Sequence, residues 1–269
     1  MRTNLNKNPQ KIYKTAVILC GGKGTRLGHI GKKLPKTLVK IQGKEILWYI
    51  INILKINNFN HIILPLGYKG GLIKKFIYKN KKLRPNVELI DTGINSNIGK
   101  RIYKIIEKIK SKNFLLLNGD AIFDFNLKKY FNDHEKKKCG STFITGESTY
   151  QYGTIGTRLG KVIDFKRNIV YDSVNVRNTK NYIAYNYTGI TILNKNLIKK
   201  YSKSFKNFSN FEKELFPKII KKNKSSFIKL KGFFHSMDNF KDIDMVNKTS
   251  LFPKRYKGIK KIKKKIYEN

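Results

Sequence analysis

The sequence of 269 residues predicts an α/β protein with a mainly parallel sheet that is covered by helices on both faces. The first observation is that short apolar runs alternate with longer amphipathic stretches through the first half of the chain. The second is a glycine-rich turn directly after the apolar run Ala16 to Leu19. After about Gly140 the pattern becomes richer in strands, so we expect an irregular, partly antiparallel second half.

The predicted elements follow this alternation along the chain. We expect strands at 16–19, 61–66, 87–91 and 114–117, and later at 141–145, 161–165 and 185–193. The amphipathic stretches predict helices over 46–57, 72–78, 101–109 and 127–137. We divide the chain into an N-terminal extension at 1–14, one main domain at 15–250 and a basic C-terminal tail at 251–269.

The charge of the chain is strongly positive, with 58 Lys and Arg against 17 Asp and Glu and a formal net charge of +41. The lysines are spread through nearly every segment, whereas a nucleic-acid-binding protein concentrates them in a patch or stripe. Lys, Asn and Ile share A/T-rich codons, so an AT-rich genome explains the composition without a specific nucleic-acid partner. The field would still attract polyanionic substrates.

The cysteines and apolar runs bound the location of the protein. Cys20 and Cys139 give neither a disulfide framework nor metal-binding spacing. No run reaches the ~18–20 apolar residues that span a bilayer, and the first 14 residues lack the apolar core of a signal peptide. We expect a cytoplasmic protein without integral membrane association. The basic tail is more typical of a solvated helix than of a helix that lies on a membrane surface, and both interpretations stay open. Assembly into a homo-oligomer is also left open.

The turn after the first strand, Leu19-Cys-Gly-Gly-Lys-Gly-Thr-Arg-Leu27, predicts a phosphate-binding loop. Glycines leave backbone N–H groups free to approach anionic oxygens, while Lys23 and Arg26 add fixed charge. The spacing excludes a P-loop, because Arg26 or Leu27 stands where the second glycine should be. It also excludes the dinucleotide fingerprint, since Leu27 replaces its third glycine. A nucleoside triphosphate is the favoured ligand, and a turn without a ligand is the alternative.

Three further segments supply polar groups for the same site. Lys36 follows Leu34-Pro35, and the proline stiffens its approach to the phosphates. Asp120 ends the apolar strand in Asn-Gly-Asp, which places a carboxylate where Mg²⁺ would bind between phosphates. Asp238 follows aromatic residues and precedes a helical pattern, so it is either a second Mg²⁺ ligand or a helix N-cap.

The segments LCGGKGTRL, LPKTLVKI, LLLNGD and FHSMDNFKD, in this order, resemble those of the sugar-1-phosphate nucleotidyltransferases, also called nucleoside-diphosphate-sugar pyrophosphorylases. The resemblance covers about Lys14 to Lys248. The segments KEILWYI, LGYKG and VELIDTGINSNIGKRI look most like glucose-1-phosphate cytidylyltransferases, while the length and the NGD strand are also similar to heptose-1-phosphate guanylyltransferases.

The resemblance implies a Rossmann-like three-layer α/β/α sandwich with a mixed, mainly parallel sheet. It also implies catalytic roles for Arg26 on the leaving pyrophosphate, Lys36 on phosphate oxygens, and Asp120 and Asp238 as Mg²⁺ ligands. The implied nucleotide-binding residues are Leu19, Gly21, Gly22, Gly24, Thr25, Arg26, Lys36, Gly99 and Gly119. The substrates would be an NTP, with CTP favoured, and a sugar 1-phosphate, and the NDP-sugar product would serve surface-polysaccharide synthesis.

The sequence departs from this family where relatives carry a lysine for the sugar phosphate. Ser173 follows Tyr171-Asp172, and the nearest lysine is Lys166. Either Lys166 takes this role or the acceptor is held differently. Alternatives are a nucleotidyltransferase acting on a non-sugar phosphomonoester, and a non-catalytic nucleotide-binding or basic nucleic-acid-binding protein.

Overall fold

The computed structural model describes residues 12–22, 28–149, 154–167, 169–175, 182–207, 210–248, 252–253 and 256. The strands are β1 (Thr15–Leu19), β2 (Lys40–Ile41), β3 (Lys44–Glu45), β4 (His61–Leu66), β5 (Val87–Asp91), β6 (Asn113–Asn118), β7 (Ala121–Asp124), β8 (Ser141–Thr145), β9 (Ser148–Thr149), β10 (Thr154–Arg158), β11 (Lys161–Lys166), β12 (Val170–Tyr171), β13 (Ser173–Asn175), β14 (Ile183–Tyr185), β15 (Tyr187–Asn194), β16 (Ser225–Lys229) and β17 (Phe233–Ser236).

The helices of the described residues are α1 (Gly28–Lys33), α2 (Ile46–Ile56), α3 (Gly70–Lys79), α4 (Ile98–Ile105), α5 (Leu127–Lys136), α6 (Lys195–Tyr201), α7 (Phe211–Lys222) and α8 (Phe240–Lys248). Short 3₁₀ turns cover Lys36–Leu38, Arg84–Asn86, Ile106–Lys108 and Ser202–Asn207. The predicted helix over 101–109 begins earlier, because the Asn97 side chain caps α4 by accepting from the N–H of Lys100. None of these helices is both long and apolar enough to cross a membrane.

A central sheet of seven strands, in the order β16-β8-β15-β6-β1-β4-β5, runs through the described part of the protein. Strands β6, β1, β4 and β5 are parallel, whereas β15 runs antiparallel to both β6 and β8. The sheet is therefore mixed and mainly parallel, which confirms the predicted fold class. The carboxyl ends of β1 and β6 meet at one edge, where Leu19 pairs with Asn118.

Side chains that alternate along each strand pack into two apolar layers. In β1, Ala16 and Ile18 join a cluster that contains residues of α2, α3, α5 and α8. Val17 faces the opposite cluster, which includes residues of α4, α6 and α7. The period-2 alternation of a strand thus buries both faces of the sheet and produces the predicted three-layer sandwich.

The strand-rich second half forms small sheets beside the central one. The predicted strand at 161–165 is β11, which pairs with β10 in a separate two-stranded sheet. The predicted strand at 185–193 is interrupted at Asn186, whose N–H donates to the carbonyl of Asp172. Of its two parts, β14 pairs with β13 and only β15 enters the central sheet.

The core extends past the domain boundary predicted at residue 250. Phe252 and Tyr256 are both buried, and their rings lie 5.2 and 5.0 Å from the ring of Tyr49. The Tyr256 hydroxyl donates to the carbonyl of Phe123. Aromatic residues that stand among lysines after residue 250 thus pack on α2, and the division of the chain at this point stays a prediction. Most of the predicted tail, at 254–255 and 257–269, lies outside the described residues.

Candidate active site

A cleft of about 630 Å³ opens at the carboxyl edge of the central sheet. The predicted residues Leu19, Gly21, Gly22, Lys36, Gly119 and Asp120 all line it. Residues at the starts of α4 and α7, together with Thr37, complete the lining. Parallel strand ends thus place the predicted glycines and the first aspartate around one cavity, as expected for an open α/β sheet.

The glycine loop continues after Gly22 with four further residues. Gly24, Thr25 and Arg26, as well as Lys23, lie outside the described residues. Their implied contacts with nucleotide and pyrophosphate stay predictions.

Arg101 fixes the point at which the chain leaves β1. Its buried guanidinium donates to the carbonyl of Gly21 at 2.9 Å, to the carbonyl of Leu66 at 2.8 Å and to the Thr92 hydroxyl at 2.6 Å. A Cβ on Gly21 would lie 2.5 Å from this guanidinium, so the glycine is needed for close packing. Burial lowers the pKa of Arg101, although Cys20 and Asp91 oppose this effect. Arg101 belongs to the segment VELIDTGINSNIGKRI, but the sequence does not indicate that its side chain reaches the ends of three strands.

Cys20 stands beside Arg101 in the same wall. Burial raises the pKa of its thiol to about 12, and the Sγ atom donates weakly to the carbonyl of Pro65. The thiol is therefore protonated at neutral pH and has no nucleophilic character.

Gly119 allows the backbone of β6 to pass close to β1. Its N–H donates to the carbonyl of Leu19 at 3.1 Å. A Cβ at this position would lie 2.5 Å from Cγ2 of Thr37 and 2.8 Å from the Leu19 carbonyl oxygen. This packing fixes the position of the adjacent Asp120. The buried Oγ1 of Thr37 has no hydrogen-bond partner among the described residues and stands in the cleft wall, which is suited to a bound ligand.

Lys36 joins the two predicted aspartates. Its Nζ lies 2.9 Å from Oδ2 of Asp120 and 3.0 Å from Oδ1 of Asp238. Pro35, in extended conformation, directly precedes the 3₁₀ turn that carries Lys36. The three side chains come from sequence positions up to 202 residues apart, so the predicted convergence of these segments is observed.

Asp238 is not the cap of helix α8. The Asn239 side chain accepts from the N–H groups of Lys241 and Asp242, and the Asp242 carboxylate accepts from the N–H of Asn239. This reciprocal arrangement is a capping box. The alternative role considered for Asp238 is therefore filled by its neighbour, and the Asp238 carboxylate is directed to Lys36 and to the Ser236 hydroxyl.

The Asp120 and Asp238 carboxylates suit a hard cation. The Lys36 ammonium already lies between them, which shows that the two oxygens are close enough to share one positive charge. The described residues contain no cluster of three or more His, Cys, Asp or Glu able to hold a metal ion. A Mg²⁺ ion commonly uses one or two carboxylates and completes its shell with substrate phosphates and water, so two aspartates fit it.

Two predicted residues do not join this site. Gly99 lies in α4, where a Cβ would come 2.5 Å from the carbonyl oxygen of Phe205, and it is absent from the cleft wall. In the structure this glycine allows close packing of α4 against Phe205, and its implied contact with the nucleotide stays a prediction. Lys166 is exposed on β11 and pairs with Asp164 at 2.9 Å, and it lines neither cleft.

A second cleft of about 380 Å³ adjoins the first and shares Asn118, Asp120 and Glu212 with it. Its described lining contains four carboxylates, those of Asp120, Glu147, Glu212 and Asp238, and no lysine or arginine. Such a lining stands out in a chain with 58 basic residues. Sequence reasoning missed Glu147 and Glu212, because neither follows a strand of the first half or belongs to a recognised motif.

The nucleotidyl transferase family matches this chain over residues 15–234. The chain belongs to the nucleotidyl transferase family. It is an enzyme, and the cleft that contains the predicted glycines and Asp120 lies within the matched region.

Relatives with assigned activities match more than half of this chain. The chain is 31% identical over 179 residues to a probable glucose-1-phosphate cytidylyltransferase of Bacillus subtilis (strain 168), an overlap of 59% of this chain and 70% of that protein. It is 32% identical over 174 residues to a D-glycero-alpha-D-manno-heptose 1-phosphate guanylyltransferase of Aneurinibacillus thermoaerophilus. This overlap covers 63% of this chain and 74% of that protein.

Solved structures share the fold. A putative glucose-1-phosphate thymidylyltransferase from Bacillus anthracis aligns with a TM-score of 0.67 at 14% identity, covering 87% of this chain and 94% of that one. HddC from Yersinia pseudotuberculosis, crystallised with GMP-PN, aligns with a TM-score of 0.63 at 22% identity, covering 87% and 98%. These likenesses confirm the Rossmann-like nucleotidyltransferase fold.

Proposed function

We propose that this enzyme transfers a nucleotidyl group from an NTP, preferably CTP, to a sugar 1-phosphate, with Mg²⁺ as cofactor. The observation that carries the proposal is the Lys36 bridge between Asp120 and Asp238 at the junction of two adjoining clefts. The relatives named as glucose-1-phosphate cytidylyltransferases support the choice of CTP, and the family supports the reaction class. The NDP-sugar product would serve surface-polysaccharide synthesis.

The first cleft would hold the NTP. Gly21, which Arg101 holds in place, and Gly22 line this cleft beside Lys36. The acceptor would occupy the second cleft, so that its phosphate meets the α-phosphate of the NTP near Asp120, which lines both. Holding both reactants in line converts an encounter of two polyanions into a positioned reaction.

The reaction forms a bond between an acceptor phosphate oxygen and the α-phosphorus of the NTP. The bond from the α-phosphorus to the bridging oxygen breaks, and that oxygen leaves with pyrophosphate. The acceptor phosphate has a second pKa near 6, so it is ionised at neutral pH and needs no general base. This agrees with the lining of both clefts, which contains no histidine among the described residues.

Asp120 and Asp238 would hold Mg²⁺, and Lys36 would contact phosphate oxygens. The bound ion would cancel charge between the two phosphates and fix their geometry. Since Lys166 pairs with Asp164 and lines neither cleft, Lys36 is the better candidate for the acceptor phosphate.

The acidic lining of the second cleft favours one alternative acceptor. A phosphomonoester with a cationic group, such as phosphocholine, would complement Glu147 and Glu212 better than a neutral sugar does. This candidate keeps the enzyme class and changes only the acceptor.

A pyrophosphate-release screen tests both candidates. CTP, GTP, UTP and TTP are each combined with hexose 1-phosphates, heptose 1-phosphates and phosphocholine, in the presence of Mg²⁺. We expect CTP with a sugar 1-phosphate to give the highest kcat/KM, and the same mixture with the Asp120→Asn variant serves as the blank. Faster reaction with phosphocholine would select the alternative acceptor, and a GTP preference would refute the CTP assignment.

A further inference from the structure

Glu212 lies where the two clefts meet. It stands in the first turn of α7 and lines both cavities together with Asn118 and Asp120. No described residue donates a hydrogen bond to its carboxylate or forms an ion pair with it. The side chain is half-buried in a protein that has many exposed positions for an acidic residue.

Helix α7 does not need Glu212 at its N-terminus. The Asn210 side chain accepts from the N–H of Lys213, and the Glu214 carboxylate accepts from the N–H of Asn210 at 2.8 Å. These two bonds complete the cap. A further acidic residue near a helix N-terminus is favourable, but a solvent-facing position would supply the same effect without burial.

The surroundings of Glu212 oppose its ionised form. Burial raises the pKa of Glu212, and the nearby negative charge of Asp120 raises it further by a smaller amount. Tyr187, which also lines the second cleft, feels the Glu212 charge in turn, although burial is the main cause that raises its pKa. A half-buried carboxylate without a donor and next to a second carboxylate is destabilising until a ligand supplies a hydrogen-bond donor.

We propose that Glu212 binds a hydrogen-bond donor on the part of the acceptor away from its phosphate, and so discriminates among acceptors. This inference rests on the proposed function, since it takes the second cleft as the acceptor site. The donor is a hydroxyl or an ammonium group, because a carboxylate accepts from either. Asp120 and Asp238, joined through Lys36, serve the phosphate end, which leaves Glu212 for the remainder of the molecule.

The test compares Glu212→Gln with Glu214→Gln. Both variants remove one negative charge from the first turns of α7, but Glu214 lines neither cleft. With CTP and the best sugar 1-phosphate, Glu212→Gln should lower kcat/KM for the acceptor by about 10- to 100-fold, the range for a hydrogen bond to a charged group. The KM for CTP should stay within about twofold of the wild-type value. Glu214→Gln should leave both the acceptor kcat/KM and the KM for CTP within about twofold of wild type.

Acceptors that lack one group identify the donor. Among monodeoxy analogues of the sugar 1-phosphate, one should lose a similar factor with the wild-type enzyme and lose nothing further with Glu212→Gln. If the donor is an ammonium, an amino sugar 1-phosphate or phosphocholine should be preferred by the wild type, and Glu212→Gln should remove that preference.

Two results would overturn the inference while the proposed function stands. In the first, the wild type is active but Glu212→Gln leaves acceptor kcat/KM unchanged. In the second, the variant raises KM for CTP and not for the acceptor, which would assign Glu212 to the nucleotide. An inactive wild type with every sugar 1-phosphate and phosphocholine would instead refute the proposed function, and the inference with it.

Discussion

Replacing Gly119 with alanine tests the close approach of β6 to β1 that holds Asp120 in place. The new Cβ would lie 2.5 Å from Cγ2 of Thr37, 2.8 Å from the carbonyl oxygen of Leu19 and 3.3 Å from Cγ2 of Ile18. The first contact can relax by a movement of the Thr37 side chain, but the second involves the backbone of a buried strand. The strand end that carries Asp120 must therefore move away from β1.

The magnitude follows from these contacts. Overpacking a well-packed core by one methyl group costs about 1–3 kcal/mol, which corresponds to a fall in Tm of about 2–10 °C for a domain of this size. A shift of Asp120 by about 1 Å should lower kcat by roughly 10²-fold, because positioned reactants tolerate little displacement. Activity should thus fall far more than stability alone explains at a temperature where the variant is folded.

Thermal unfolding and pyrophosphate release measure the two effects on the same samples. Gly71→Ala is the matched control, since a Cβ there meets nothing within 4 Å and the position lies inside α3. This control should be neutral or more stable by up to about 1 kcal/mol. The double variant Gly119→Ala with Thr37→Ser should recover part of the loss, since it removes the methyl group of the shortest contact. Wild-type kcat and Tm in Gly119→Ala would refute the reasoning.

The remaining predictions concern the carboxylates, Arg101, Glu212 and Tyr256. Asp120→Asn and Asp238→Asn should each keep the circular dichroism of the wild type but lower kcat by at least about 10²-fold, or roughly 2.7 kcal/mol, and near-normal turnover would remove that residue from the metal site. Arg101→Lys should destabilise by about 2–3 kcal/mol in urea unfolding and raise KM for CTP, because lysine cannot reach the Gly21 and Leu66 carbonyls together; an unchanged KM would contradict its positioning role. Because the Glu212 pKa is raised in the folded state, its ionisation destabilises the protein above the ordinary pKa of glutamate. Urea unfolding should therefore show Glu212→Gln to be more stable than wild type at pH 7, with the difference vanishing near pH 4, and a lower stability at pH 7 would argue for a structural role. Tyr256→Ala should lower the free energy of unfolding by about 3–5 kcal/mol in the same assay, and a deletion from Pro253 should also lower it. An unchanged free energy of unfolding would contradict the packing of Tyr256 in the core.

Local sequence patterns determined the architecture and the candidate metal ligands. Strands β1, β4 and β6 are short apolar runs, so burial on both faces was readable from the letters alone. Parallel strands share one carboxyl edge, so Asp120 and the glycines after Leu19 could be placed together before any contact was known. The packing of Tyr256 on Tyr49 was not readable from the sequence, because the residues around Tyr256 in the chain are mostly lysines.

Only the tertiary structure decided which distant groups touch. Lys36 and Asp238 are 202 residues apart, and their contact depends on the pairing of β17, which precedes Asp238, with β7. The same holds for the Arg101 bonds to three strand ends, for the packing of Gly99 against Phe205 and for the place of Glu212 between two clefts. Periodicity reports whether a residue is buried, because burial repeats with the local geometry of a helix or strand. It does not report which element covers that residue, because that depends on the packing of segments that are remote in the chain.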